Sequence, residues 1–193
     1  MEGIVIKIKD MKLIIVNWLP WTWKTTLAKR LFKELNIPCF IKDEFKEILY
    51  DEIWYTTVEQ KKKFDITALK NIYNICEKHF QSKTSLIIEA NFYSEFSTPI
   101  FNDLKSQYDF DIIQILCKTD WKTLTQRFIE RDKSWARHPW HFDPNIGLNL
   151  EKWEPLFIKW DWEKLYIWWM YIELDTTNFE LIDYKKLDEN ING

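Results

Sequence analysis

Asn17-Trp18-Leu19-Pro20-Trp21-Thr22-Trp23-Lys24-Thr25-Thr26 is the stretch on which the reading of this chain turns. It follows the apolar run Leu13-Ile14-Ile15-Val16 and opens a segment with helical patterning at Lys24. Its spacing is that of the phosphate-binding loop G-x-x-x-x-G-K-[ST], which joins a strand to a helix, with tryptophan at positions 18, 21 and 23 where glycine belongs. Glycine serves such a loop because the main chain must turn sharply, in places with φ > 0, while its N–H groups close around phosphate oxygens. A bulky residue held left-handed costs roughly 1–2 kcal/mol, and an indole of roughly 150–250 Å² takes up the room a nucleotide needs. As written, the loop is expected to bind no nucleotide and the chain to be inactive.

Composition offers a resolution. The chain has 12 Trp and only 3 Gly among 193 residues; together they make about 8% of it, close to the ordinary glycine share of about 7%. Some bacterial lineages read the codon UGA as glycine, and a table that reads it as tryptophan would make this exchange throughout a gene. Residues 18, 21 and 23 are therefore expected to be glycine in the cell. Trp168-Trp169 before a strand, Trp135 and Trp140 in a polar segment, Trp54 and Trp121 beside helix starts, and Trp160 fall where glycine also makes sense. Trp153 and Trp162 do not demand it. The rival reading is a genuinely tryptophan-rich chain that has lost its loop.

The length fits one domain, 1–193, with a small lid at about 134–150 inside the least regular region. Residues 1–10 precede a second methionine, Met11, and read as an added edge strand or an upstream start. A net charge of -3 gives no broad basic footprint and disfavours nucleic acid as a partner; Lys61-Lys62-Lys63 reads as a solvated helix face. Cys39, Cys76 and Cys117 lack metal-ligand spacing and read as thiols in a reducing compartment, Cys39 and Cys117 within apolar runs that bury them. No run approaches the roughly 18 apolar residues of a membrane span and no signal-peptide pattern opens the chain, so a cytoplasmic protein is expected.

Short apolar runs alternate with helical stretches, the signature of a parallel sheet with crossover helices. Strands are expected at 12–17, 37–42, 85–90, 111–117 and 170–175, and helices at 24–35, 43–50, 58–81, 98–107, 121–133 and from Tyr184. In the long helix Phe64, Leu69, Ile72, Ile75 and Phe80 form the expected core stripe. The fold class is α/β, a five-stranded parallel sheet sandwiched by helices, with a small lid.

The residues that can carry chemistry cluster at expected strand ends. Lys24 would reach the β and γ phosphates of a nucleotide and Thr25 would ligate Mg²⁺. Asp43, just past the second strand, sits where doubly wound sheets bind ligands and could accept the proton of an attacking hydroxyl; it could equally cap a helix. Glu89 ends an otherwise apolar strand and is hard to explain by packing, because an unpaired buried charge is expensive; it reads as a metal or substrate ligand, with Asn91 beside it on the substrate side. Arg127 and Arg131 share a helix face, and Arg137, His138 and His141 follow on the lid, where guanidinium groups can close over a transferring phosphoryl. Zinc at His138 and His141 lacks cysteine partners.

With glycines restored, residues 12–35 resemble the start of the small P-loop kinases grouped with the AAA-type ATP-binding proteins, similar to chloramphenicol phosphotransferase, zeta-toxin-like kinases and polynucleotide kinase domains. The resemblance extends to Asp43, to the Arg127–Arg131 spacing, to Ser134-Trp135-Ala136-Arg137-His138-Pro139-Trp140-His141-Phe142-Asp143 and to Asp175-Thr176-Thr177-Asn178-Phe179. It implies a nucleoside-kinase-like P-loop NTPase that uses ATP and Mg²⁺, with residues 18–26 and Arg127 on the nucleotide, Asp43 as general base, Glu89 as a substrate- or metal-side carboxylate, and an arginine-bearing lid. Glu-Ala-Asn at 89–91 departs from a plain Walker B aspartate. The expected activity is transfer of the γ-phosphoryl of ATP to a hydroxyl of a small molecule. The alternatives are a polynucleotide 5′-hydroxyl kinase and a regulatory ATPase without an acceptor.

Overall fold

The computed structural model describes residues 11–17, 21–53, 57–133, 138, 165–167 and 170–192, with 131–133 as backbone alone. The N-terminal extension 1–10 and, but for His138, the expected lid lie outside the described residues. Five strands, β1 (Lys12–Asn17), β2 (Cys39–Ile41), β3 (Leu86–Glu89), β4 (Asp111–Lys118) and β5 (Met170–Asp175), form one parallel sheet in the order β2-β3-β1-β4-β5. Helices α1 (Lys24–Leu35), α2 (Lys42–Glu52), α3 (Val58–Gln81), α4 (Ser94–Gln107), α5 (Trp121–Lys133) and α6 (Tyr184–Asn192) complete the alternation, with a short 3₁₀ turn at Phe179–Leu181.

The continuous apolar runs of β1, β3 and β4 are buried because helices cover both faces, and alternate residues of one strand enter two different cores. Leu13, Ile15, Leu86, Ile88 and Ile112 pack with α3 and α4, whereas Ile14, Val16, Ile87, Ile113 and Ile115 pack with α1 and α6. The chain leaves β1 for the far side of β3, returns, and then crosses to β4, so the loop after β1 sits at a topological switch point.

Local chemistry explains where expected boundaries shift. Strand β2 starts at Cys39 rather than Ile37 because Pro38 has no N–H; it contributes only its carbonyl, which accepts from Ile87 N at 2.7 Å. Helix α4 begins at Ser94, a turn before the expected Thr98, and runs through Pro99 at the cost of one intrahelical bond. Helix α3 opens with a capping box, Thr57 Oγ1 accepting from Gln60 N and Gln60 Oε1 from Thr57 N, both at 3.2 Å. Its fully buried stripe is Ala68, Ile72, Cys76 and Phe80, while Phe64, Leu69 and Ile75 are only partly buried. Small side chains at 68 and 76 let α3 lie close to the sheet, and the larger neighbours flank that seam.

Gln114 is a polar residue in the middle of β4. With its amide turned to satisfy both ends, it pairs with the N–H and C=O of Leu165 at 3.2 and 3.3 Å and pins the approach to β5. All three cysteines are free; Cys76 and Cys117 are buried as expected for Cys117, while Cys39 is only partly so. Burial pushes each thiol up to about 12.

Candidate active site

The turn after β1 carries the feature that the sequence singles out. Trp21 and Trp23 have φ of 64° and 61°, in the left-handed region. Among the described residues Asn36 and Lys83 also do, but each lies just past a helix C-terminus, where that conformation is common. At 21 and 23 the main chain thus takes the shape glycine adopts freely, and the indoles go where room remains. Trp21 packs edge-on against Phe128 of α5 at 4.5 Å between ring centres. Trp23 meets the Phe179 ring at 5.4 Å and the Arg127 guanidinium at 5.3 Å. Trp18, Leu19 and Pro20 lie outside the described residues.

Helix α1 starts directly from Trp23 with no side chain capping it, so its N-terminus points its partial positive charge at the turn. Lys24 and Glu89 are each only 6% exposed, and their charged atoms are 3.8 Å apart. Thr25 donates its hydroxyl hydrogen to the other carboxylate oxygen of Glu89 at 3.0 Å. Burial is the largest influence on both charges. It lowers the Lys24 ammonium below its ordinary value and raises the Glu89 carboxyl, each against the attraction of the other. Thr25 and Glu89 offer two hard oxygen donors side by side, which fits a Mg²⁺ ion.

Asp43 stands in the first turn of α2, as the second helical residue; the cap position belongs to Ile41, so the capping reading does not hold. Its charge acts on both Lys24 and Glu89, which puts it at the same end of the sheet. Asn91 is half-buried in the connection from β3 to α4, and Thr26 is exposed on α1. His138 reaches α2, where its Nε2 is 2.9 Å from Asp51 Oδ1 and its ring stacks on Tyr50. The Arg131 side chain, Arg137 and His141 lie outside the described residues.

Arg127 is held by main chain at the end of β5. It donates to the carbonyls of Thr176 and Thr177 at 2.7 and 2.8 Å and to Thr119 Oγ1 at 3.1 Å.

Two residues that the sequence reading passed over complete the frame. Asn17, buried at the end of β1, accepts from Phe92 N at 2.9 Å and donates to Phe92 O at 3.3 Å, fastening the segment after Glu89 to the loop. Thr176, fully buried, donates to the Thr22 carbonyl at 3.0 Å and ties the loop to β5. Asn17, like Glu89, is a polar residue at the end of an apolar strand, and that position is the signal for it in the sequence.

No family model matches the chain, and no curated protein matches it. The crystal structure of "a putative kinase" from Chloroflexus aurantiacus j-10-fl is 31% identical, with 94% of this chain and 97% of that one covered and a TM-score of 0.84. A sugar kinase from Janibacter sp. HTCC2649 is 13% identical over 94% of this chain and 92% of its own, with a TM-score of 0.54. A gluconokinase from Sinorhizobium meliloti 1021 is 11% identical over 94% and 95%, with a TM-score of 0.50; these two share the fold. Among the described residues no helix is long and apolar enough to cross a membrane.

Proposed function

This chain belongs to the kinase family of the Chloroflexus protein, and from that premise we propose that it moves the γ-phosphoryl of ATP to a hydroxyl of a small molecule in the cytoplasm, with Mg²⁺, and that its native loop carries glycine at 18, 21 and 23. The observation that carries this reading is the meeting of Lys24, Thr25 and Glu89 beside a turn whose main chain is left-handed at two of those three positions.

In this mechanism the N–H groups of the turn and of the α1 N-terminus hold the phosphate oxygens, and Lys24 neutralises charge on the β and γ groups. Asp43 accepts the proton of the acceptor hydroxyl as its oxygen bonds to the γ phosphorus. The bond from that phosphorus to the bridging oxygen breaks, and ADP departs with the electron pair. Thr25 and Glu89 would hold Mg²⁺, which when bound offsets the charge of the phosphates. With glycine at 23, the Arg127 guanidinium exposes the face now covered by indole to adenine or a phosphate. In this reading Asn91, His138 and His141 would contact the acceptor, and Arg131 and Arg137 would close over the transferring group and exclude water.

The test uses the chain with Trp18→Gly, Trp21→Gly and Trp23→Gly, incubated with γ-labelled ATP and a metabolite extract. A labelled organic product is the expected outcome. Release of inorganic phosphate alone would make the protein an ATPase. Salt-dependent labelling of a 5′-hydroxyl oligonucleotide, with no small product, would make it a polynucleotide kinase.

A further inference from the structure

Beside the loop lies a second group of charges that transfer from ATP does not require. Lys42 and Lys46, one turn apart on α2, direct their ammonium groups to the same oxygen, Asp65 Oδ1 on α3, at 3.3 and 2.7 Å. Their side chains are 13% and 9% exposed, whereas that of Asp65 is 33% exposed. One cation suffices to tie α2 to α3. Two cations thus share one carboxylate in a poorly hydrated setting, where sheltering charge is costly. The Lys46 ammonium also lies 5.6 Å from the centre of the Tyr50 ring, on which His138 stacks. Two further carboxylates of α2 have partners of their own: Asp51 meets His138, and Glu44 meets Lys29 at 3.0 Å.

The pair begins at the edge of the phosphate site, because Lys42 directly follows Ile41, the register partner of Glu89 on β3. Lys46 stands about 6 Å further along the helix axis, four residues at about 1.5 Å each. We propose that Lys42 and Lys46 bind a carboxylate or phosphate carried by the acceptor itself, so that the substrate is a small hydroxylated acid or phosphate ester rather than a neutral sugar or alcohol. An incoming oxyanion takes one ammonium from Asp65 and makes charge-assisted hydrogen bonds that are strong in a poorly hydrated setting. A few carbon atoms then separate the anion from the hydroxyl presented to Asp43. This inference rests on the kinase reading of the site.

Thermal unfolding of the full chain, without ATP, tests it with matched probes: glycerol, ribose and glucose; glycerate, ribonate and gluconate; glycerol 3-phosphate, ribose 5-phosphate and glucose 6-phosphate. At least one anion should raise Tm and no neutral probe should, with the acid and ester arms telling which oxyanion is read. Lys46→Met should abolish the shift, Lys46→Arg should keep it, and Asp65→Asn, which releases both ammonium groups, should enlarge it. No shift with any anion, an equal shift with the neutral partner, or an undiminished shift in Lys46→Met overturns the proposal. Should Lys46→Met fail to fold, Asp65→Asn decides, and an unchanged or smaller shift there is the contrary result. Because the readout is binding without nucleotide, failure of ATP transfer in the glycine-loop protein would sink the kinase reading and leave this result standing.

Discussion

Replacing Trp18, Trp21 and Trp23 together by glycine should change nucleotide binding far more than it changes stability. At 21 and 23 the exchange relieves two left-handed bulky residues, about 1–2 kcal/mol each. Against this stand two aromatic pairs, Trp21 with Phe128 and Trp23 with Phe179, at about 0.5–1.5 kcal/mol each, and the Arg127 cation over Trp23, at about 0.5–1 kcal/mol. Greater freedom of glycine in the unfolded chain adds about 0.5–1 kcal/mol per site to the same side. On central values the losses exceed the relief by about 2 kcal/mol, which lowers Tm by about 4–8 °C at this size. Binding should follow no such balance, because large side chains on a phosphate loop compete with the nucleotide for room. Calorimetric titration with ATP and Mg²⁺ should find no binding to the tryptophan chain at millimolar ligand. For the glycine chain it should find a micromolar Kd, near 8 kcal/mol. Equal affinity of the two proteins would refute the steric reasoning, and a loss of stability well beyond 2 kcal/mol would refute the conformational part.

In the glycine-loop protein, Asp43→Ala should lower kcat by about 10²–10⁴-fold while leaving the Kd for ATP within a few fold; loss of ATP binding with the fold retained would put Asp43 on the nucleotide side. Burial holds the Glu89 carboxyl above its ordinary value of 4.5, so the folded chain takes up this proton before the unfolded chain does. Glu89 should therefore add stability as pH falls through its folded value toward 4.5. The difference in unfolding free energy between the wild type and Glu89→Gln, measured by denaturant titration, should fall as pH rises across that window, and a rise would contradict the assignment. With thiols pushed up to about 12, the native protein at pH 8 should react slowly with an aromatic disulfide reagent, half-buried Cys39 first and Cys76 and Cys117 only as fast as it unfolds. A rapid stoichiometric burst would show an activated cysteine.

What was legible in the sequence was what local pattern dictates. The apolar run Leu13–Val16 and the switch to helical spacing at Lys24 placed β1 and α1 to the residue, and α3 spans the expected 58–81. Lys24, Thr25 and Glu89 could be gathered because each ends or follows a strand, and parallel strands bring their carboxyl ends to one edge. Of the expected stripe on α3, Ile72 and Phe80 are buried and Leu69 and Ile75 flank them, while Ala68 and Cys76 complete the seam because close approach favours small side chains. Asn17, Thr176 and Gln114 act through main-chain partners that are 75, 154 and 51 residues away along the chain, and the sharing of Asp65 by two lysines needs α2 and α3 already packed. No spacing rule within one segment announces such contacts.

The account depends on main chain alone cupping a polyphosphate where β1 ends. Peptide mass spectrometry on the protein isolated from its source cell, covering Leu13 to Lys24, measures this most directly. Glycine masses at 18, 21 and 23 are the predicted result, whereas tryptophan masses at those positions would contradict it.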